Sequence, residues 1–104
     1  MPQFKGWGAA HAGGISYVFG NFSEAMHPNA ADRAVSDEMS SYWVNFARTG
    51  DPNGKGLPRW PAFTDANAQV MSLNDSSMAI SVPNSEKLRV LDGYYAWHRS
   101  KLKT

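Results

Sequence analysis

Between Asp32 and Thr49 the apolar residues Val35, Met39, Tyr42, Trp43 and Phe46 recur at steps of four, three, one and three, which places all five on one face of an α-helix. A helix with one apolar face draws most of its stability from packing that face against something. The stripe therefore obliges the rest of the chain, or a body outside it, to supply a receiving surface. Asn29 is placed to cap the N-terminus and Asp32 falls in the first turn. At the other end Arg48 complements the helix dipole, and Gly50 suits a left-handed residue just past the last turn. The helix is expected over about 32–49.

The remaining sequence offers little surface to receive it. Leu, Ile, Val and Phe together make 18 of the 104 residues, below the roughly 20% that marks chains short of core material. The near-zero net charge of +1 argues against plain disorder. Five Phe, four Trp, four Tyr and five Met outnumber the Leu, Ile and Val residues, and rings need aliphatic filling between them to pack at interior density. A second helix is expected over about 85–102, with Ser85 as its cap and Leu88, Leu91, Tyr95 and Leu102 on one side. Gly93 in its interior costs about 1 kcal/mol relative to Ala. Gln69 to Leu73 and Met78 to Val82, around Asn74-Asp75-Ser76-Ser77, predict a hairpin over about 69–82, and a lone hairpin is marginal in water. Asp51-Pro52-Asn53-Gly54 reads as a turn, and Trp60-Pro61 as extended chain. The expectation is a mostly helical chain with a short β-hairpin and loops, loosely packed when isolated and leaving Trp43 and Trp60 in water.

Charge and composition remove several functions. Five Lys and five Arg are scattered against nine acidic residues, so no basic stripe is present for a phosphate backbone and no nucleic-acid partner is expected. The longest apolar run, Tyr94 to Trp97, is four residues, far short of the ~18 of a membrane span. Without Cys there is no disulfide framework, thiolate zinc site or Cys nucleophile. The first residues lack the basic start and apolar run of a signal peptide. His11 and His27 lack the spacing of a helical zinc pair, and no carboxylate cluster adjoins them.

Histidine is the side chain best suited to move protons near neutral pH, and the chain has three. His98 falls in a basic helical tail and His27 in a loop before Pro28, both readily explained as solvated residues. His11 differs. It lies within Gly6-Trp7-Gly8-Ala9-Ala10-His11-Ala12-Gly13-Gly14, four glycines in nine residues, a loop of the kind that carries catalytic groups. Ile15 to Phe22 follows as a short apolar segment, strand or one helical turn. Gly14-Ile15-Ser16-Tyr17-Val18 begins like a nucleophile elbow but has Val18 where the second glycine must relieve crowding, so Ser16 is not read as a nucleophile. His11-Ala12-Gly13-Gly14 likewise lacks the apolar strand that precedes an HGGG oxyanion loop.

The run Gly8-Ala9-Ala10-His11-Ala12-Gly13-Gly14-Ile15-Ser16-Tyr17-Val18-Phe19-Gly20-Asn21 closely resembles the histidine motif of type-B carboxylesterases, the cholinesterase-like branch of the α/β-hydrolases. Tyr42-Trp43-Val44-Asn45-Phe46-Ala47-Arg48-Thr49-Gly50-Asp51-Pro52-Asn53 and Leu57-Pro58-Arg59-Trp60-Pro61-Ala62-Phe63 are similar to the next two signatures of that family, in the same order. Three ordered matches are far more specific than one short pattern.

The resemblance implies that residues 1–104 are the C-terminal part of one α/β-hydrolase domain. It would comprise a histidine loop over 6–22, the helix, the hairpin and the C-terminal helix, with the central sheet largely missing. It also implies hydrolysis of a small-molecule carboxylic ester with no metal or organic cofactor, and His11 as the triad histidine. The family's G-E-S-A-G elbow and its acidic triad member are absent from these residues, which implies an N-terminal part of the same fold as partner and no activity alone. The family usually has Glu three residues after the histidine and Pro two after that, where this chain has Gly14 and Ser16. That departure keeps a non-catalytic binding or adhesion relative as an alternative. A separate small helical interaction module is a third reading.

Overall fold

The computed structural model describes residues 11–102. They form helix α1 (Gly14–Phe19), a 3-10 turn at Glu24–Met26, helix α2 (Ala30–Thr49), strands β1 (Gln69–Ser72) and β2 (Met78–Ser81), and helix α3 (Ser85–Lys101). α2 begins where its cap dictates. Asn29 is extended, its side-chain oxygen accepts the Asp32 N–H at 2.8 Å, and the Asp32 carboxylate accepts the Asn29 N–H at 2.9 Å, forming a reciprocal capping box. The helix ends on Gly50, left-handed at φ 81°, whose N–H bonds the Phe46 carbonyl at 2.7 Å.

The structure decides one open reading and corrects two expectations. Within the loop expected over 6–22, the segment from Ile15 read as strand or one helical turn is helical, α1, while residues 6–10 lie outside the described residues. Six residues are too few to hold a helix alone, and this one is held by its neighbour, as described below. At α3, Ser85 is the first helical residue rather than the cap. The cap position belongs to Asn84, left-handed at φ 58° with no side-chain cap bond, a conformation that Asn tolerates better than most residues. Trp60 is half-buried rather than exposed, because its ring meets Tyr42 edge to face at 5.1 Å.

β1 and β2 pair antiparallel with Val70 opposite Ile80 and Met71 opposite Ala79. Their turn is built from side chains: Asn74 Oδ1 accepts the Ser76 N–H at 2.8 Å, and Ser77 Oγ accepts the Asn74 N–H at 3.0 Å. These are the only two strands among the described residues.

The apolar stripe of α2 is divided. Tyr42 is 1% exposed and is the only fully buried hydrophobic side chain among the described residues. Val35 and Met39 are half-buried, but Trp43 and Phe46 remain 59% and 60% exposed. The radius of gyration is 17.4 Å, against about 13 Å for a compact chain of this length. The accessible surface is 8288 Å², where a folded monomer of 11.4 kDa exposes about 5,800 Å². The chain thus leaves in water about 2,500 Å² that a self-sufficient domain of its mass would bury.

Candidate functional site

His11 stands exposed at the start of a turn, His11 to Gly13, that leads directly into α1. Ala12 beside it is left-handed at φ 62°, a conformation costly for a residue with a Cβ, and its carbonyl accepts the Ile15 N–H at 3.2 Å. The imidazole is therefore carried by a sharp backbone bend whose downstream end is the first turn of α1. Where α1 sits decides where His11 sits.

α1 is fixed to the N-terminal half of α2 by polar contacts through its C-terminal end. The Tyr17 hydroxyl donates to Asp32 Oδ1 at 2.8 Å, Ser36 Oγ donates to the Tyr17 carbonyl at 2.7 Å, and Ser40 Oγ donates to the Val18 carbonyl. The two serines are one helical turn apart: Ser36 adds a second bond to the Tyr17 carbonyl, which also accepts the Gly20 N–H at 3.3 Å, and Ser40 binds the Val18 carbonyl at the end of the short helix. Asp32 is thereby shared between the cap of α2 and the latch on α1. Burial pushes the Asp32 carboxyl upward, but the interactions that favour its charged form, the Asn29 N–H and the Tyr17 hydroxyl foremost, together hold the group below the ordinary carboxylate value. Burial and the bond to Asp32 push the Tyr17 phenol up to about 12.

A group whose folded pKa is depressed stabilises the fold above its unfolded value, and that contribution is lost as pH falls through the folded one. The docking of α1 is therefore expected to weaken as pH drops below about 4, the unfolded value for Asp. Asp32→Asn should flatten that acid limb while costing about 1 kcal/mol at neutral pH. Circular dichroism of the two proteins between pH 2 and 7 checks this, and superimposable profiles would contradict it.

The C-terminal half of α2 holds a second cluster. The Tyr42 hydroxyl donates to the Pro58 carbonyl, and Asn45 Nδ2 donates to the Pro52 carbonyl at 3.1 Å. Asn53 clasps Trp60 from both sides, accepting its N–H at 2.6 Å and donating to its carbonyl at 2.8 Å. Asp51 Oδ1 orients Asn53 by accepting its backbone and side-chain N–H groups at 3.0 and 2.9 Å. The clasp leaves a groove of about 680 Å³ lined by Trp43, Phe46, Arg59, Pro61 and Phe63 among others.

The other expected positions fall elsewhere. Ser16 is a mid-helix residue of α1, and its hydroxyl faces Met26 Sδ at 3.7 Å. His27 is an exposed left-handed residue ending the 3-10 turn, and His98 stacks on Tyr94 with ring centres 6.1 Å apart on α3. At Gly14, a Cβ would meet Met39 Cε at an ordinary 3.7 Å, so packing does not force glycine at the position where the resemblance leads one to expect Glu. No group of three or more metal-ligating side chains is present among the described residues, and no helix there is long and apolar enough to cross a membrane. The Tyr17–Asp32 latch and the Asn53 clasp are additions to the sequence reading. They join residues 15 and 7 positions apart, and only the paired small polar residues Ser36 and Ser40 hinted at a close approach.

The sequence pattern described as "Carboxylesterase family" matches residues 2–91. Bile salt-activated lipase of Bos taurus is 38% identical over 99 residues, covering 90% of this chain and 16% of that protein. The rat enzyme of the same name is 38% identical over 87 residues, covering 79% and 14%. Human cocaine esterase is 40% identical over 75 residues, covering 70% and 13%. A solved structure of a PNB esterase superposes with a TM-score of 0.67 at 28% identity, covering 76% of this chain and 16% of that one. The chain thus spans about a sixth or less of the length of these relatives. Mostly helical with two strands among the described residues, it is consistent with part of an α/β-hydrolase esterase.

Proposed function

Because the chain belongs to the carboxylesterase family, we propose that it supplies the histidine of a serine esterase active site, with His11 as the general base and acid. The observation that carries this reading is the family match over residues 2–91, which contains the His11 segment and the two signatures after it in their family order.

In this reading the His11 imidazole takes the proton from a serine hydroxyl as that oxygen attacks the carbonyl carbon of a small-molecule ester. It then returns the proton to the departing alcohol, leaving an acyl-serine. In the second half it takes a proton from water as the water oxygen attacks the acyl carbon, and hands it back to the serine as the acid leaves. The serine, the carboxylate that orients His11 and the oxyanion donors come from the part of the esterase fold that this chain does not span. The latch supports the same reading, because it ties the His11 turn to the longest helix and gives the imidazole a rigid base. The exposed surface in excess of a monomer's supports a larger body as partner.

The experiment is hydrolysis of an activated phenyl or naphthyl ester by the purified chain. No turnover above the rate of free imidazole is expected, since a triad histidine without its serine has nothing to activate. Turnover by the chain alone that disappears in His11→Ala would overturn the division of labour proposed. A non-catalytic relative is favoured at one point only, the Gly14 position, and restored activity on joining the chain to the rest of a family member would exclude it.

A further inference from the structure

Asn53 is followed by Gly54, the pairing in which an asparagine side chain is most open to attack by its own backbone. The amide nitrogen of the next residue adds to the side-chain carbonyl carbon, and a glycine there has no Cβ to crowd the ring that forms. Asparagine is thermolabile in proteins for this reason. Packing demands the glycine. A Cβ at position 54 would stand 2.7 Å from Asn45 Nδ2, and that nitrogen already donates to the Pro52 carbonyl at 3.1 Å. The close approach that shapes the turn after α2 thus creates the reactive pair.

The two reacting groups stand in opposite conditions. Gly54 is exposed, and its N–H makes none of the hydrogen bonds found among the described residues, so the nucleophile is open to solvent base. Asn53 is half-buried and its amide is held at both ends. Oδ1 accepts the Trp60 N–H at 2.6 Å, while Nδ2 donates to the Trp60 carbonyl at 2.8 Å and to Asp51 Oδ1 at 2.9 Å. Addition turns the planar amide carbon tetrahedral and expels Nδ2, so these bonds cannot survive the reaction.

We propose that Asn53–Gly54 is a deamidation site which the clasp holds in check, and that the reaction, once it occurs, unlocks Trp60 irreversibly. The Gly54 nitrogen gives its proton to solvent base and bonds to Asn53 Cγ, and Nδ2 leaves as ammonia, giving a cyclic imide. Water then adds to one of the two ring carbonyls and breaks its bond to the Gly54 nitrogen. Opening at Cγ leaves aspartate; opening at the backbone carbonyl leaves isoaspartate. The first product has a carboxylate oxygen where Nδ2 stood, facing the Trp60 carbonyl and the Asp51 carboxylate, acceptor against acceptor. The second carries an extra carbon in the main chain, which displaces the turn. Neither can rebuild the clasp. Trp60 then loses the bonds that hold its ring against Tyr42. This chemistry does not depend on which reaction the family membership implies.

The test is peptide mapping by mass spectrometry of the full chain incubated in mildly alkaline buffer, with and without concentrated urea, following conversion of Asn53 to aspartate and isoaspartate. Conversion is expected to be slower in the folded chain than in urea by roughly tenfold or more, because several hydrogen bonds must open first. Asp51→Ala removes the acceptor of two bonds from Asn53, and is expected to speed conversion of the folded chain about threefold while leaving the rate in urea unchanged. Asn53→Asp, which reproduces one product, is expected to shift tryptophan emission to the red, and adding Trp60→Phe to both proteins should abolish that difference. If Asn53→Asp lowers helix content, emission followed during conversion of the parent replaces it, with the same shift expected. An Asn53 that converts no faster in urea than when folded, or that stays intact in both, overturns the proposal. An Asp51→Ala chain that converts at the parent's rate, or a converted chain whose emission matches the parent's, overturns it equally.

Discussion

Replacing His11 by alanine in a complete esterase built around this segment is expected to lower kcat by about three orders of magnitude or more, with KM changed only a few-fold. The asymmetry follows from the role proposed. Proton transfer to and from the imidazole is needed only as the transition state forms, so its loss spares ground-state binding and removes transition-state stabilisation. Triad residues act as a unit, and deletion of one member of such a unit costs nearly as much as deletion of several. Steady-state kinetics on a folded variant settles the matter, and a loss of less than tenfold would mean that another group is the base. Tyr17→Phe provides the graded comparison. It removes one bond of the latch but keeps the imidazole, so its effect on kcat should be far smaller than that of His11→Ala.

How far the fold was legible follows how local its causes are. α2 could be read directly, because its cap, stripe, terminal Arg48 and closing Gly50 all lie within the helix or one residue outside it. The hairpin was legible for a similar reason, with Asn74 and Ser77 building the turn from their own side chains. α1 was not. A run of six residues, Gly14–Phe19, carries no period long enough to distinguish strand from helix, and what decides the matter is Ser36 and Ser40 on a different element. At α3, Ser85 has the chemistry of a cap, yet the αL bend at Asn84 precedes it and makes it the first helical residue instead.

The site was legible in a different way. Spacing and composition single out His11 only as a histidine among glycines, and its proposed role rests on the ordered resemblance of three segments. Physics alone could not supply that role, because a triad is a relation among residues that one segment does not contain. The latch was hidden for the opposite reason. Asp32 is fully accounted for as a capping-box residue by its neighbour Asn29, so nothing in the local sequence announces its second bond, to Tyr17.

The isolated chain in dilute solution is expected to bind a hydrophobic dye, to show red-shifted tryptophan emission and to unfold without a sharp transition. Cooperativity requires that many side chains lose their contacts together, and here Tyr42 is the single fully buried hydrophobic group among the described residues. Around it the Trp60 ring, the Asn53 clasp and the Pro58 carbonyl form a small ordered knot. Trp43 and Phe46, on the same helix, remain largely exposed. Completing the burial of such a side chain is worth roughly 1.5 to 3 kcal/mol, and ordering each residue costs about 1 to 2 kcal/mol in backbone entropy alone. A chain that leaves about 2,500 Å² more surface in water than a monomer of its mass forgoes the larger part of what would offset that cost. Its unfolding should accordingly be broad, with the knot around Tyr42 the last part to loosen. Fluorescence, dye binding and thermal circular dichroism at low micromolar concentration check this. Blue-shifted emission with a single cooperative transition in the dilute monomer would instead mean that these 104 residues close their own core, and would favour an independent helical module over a part of a larger esterase fold.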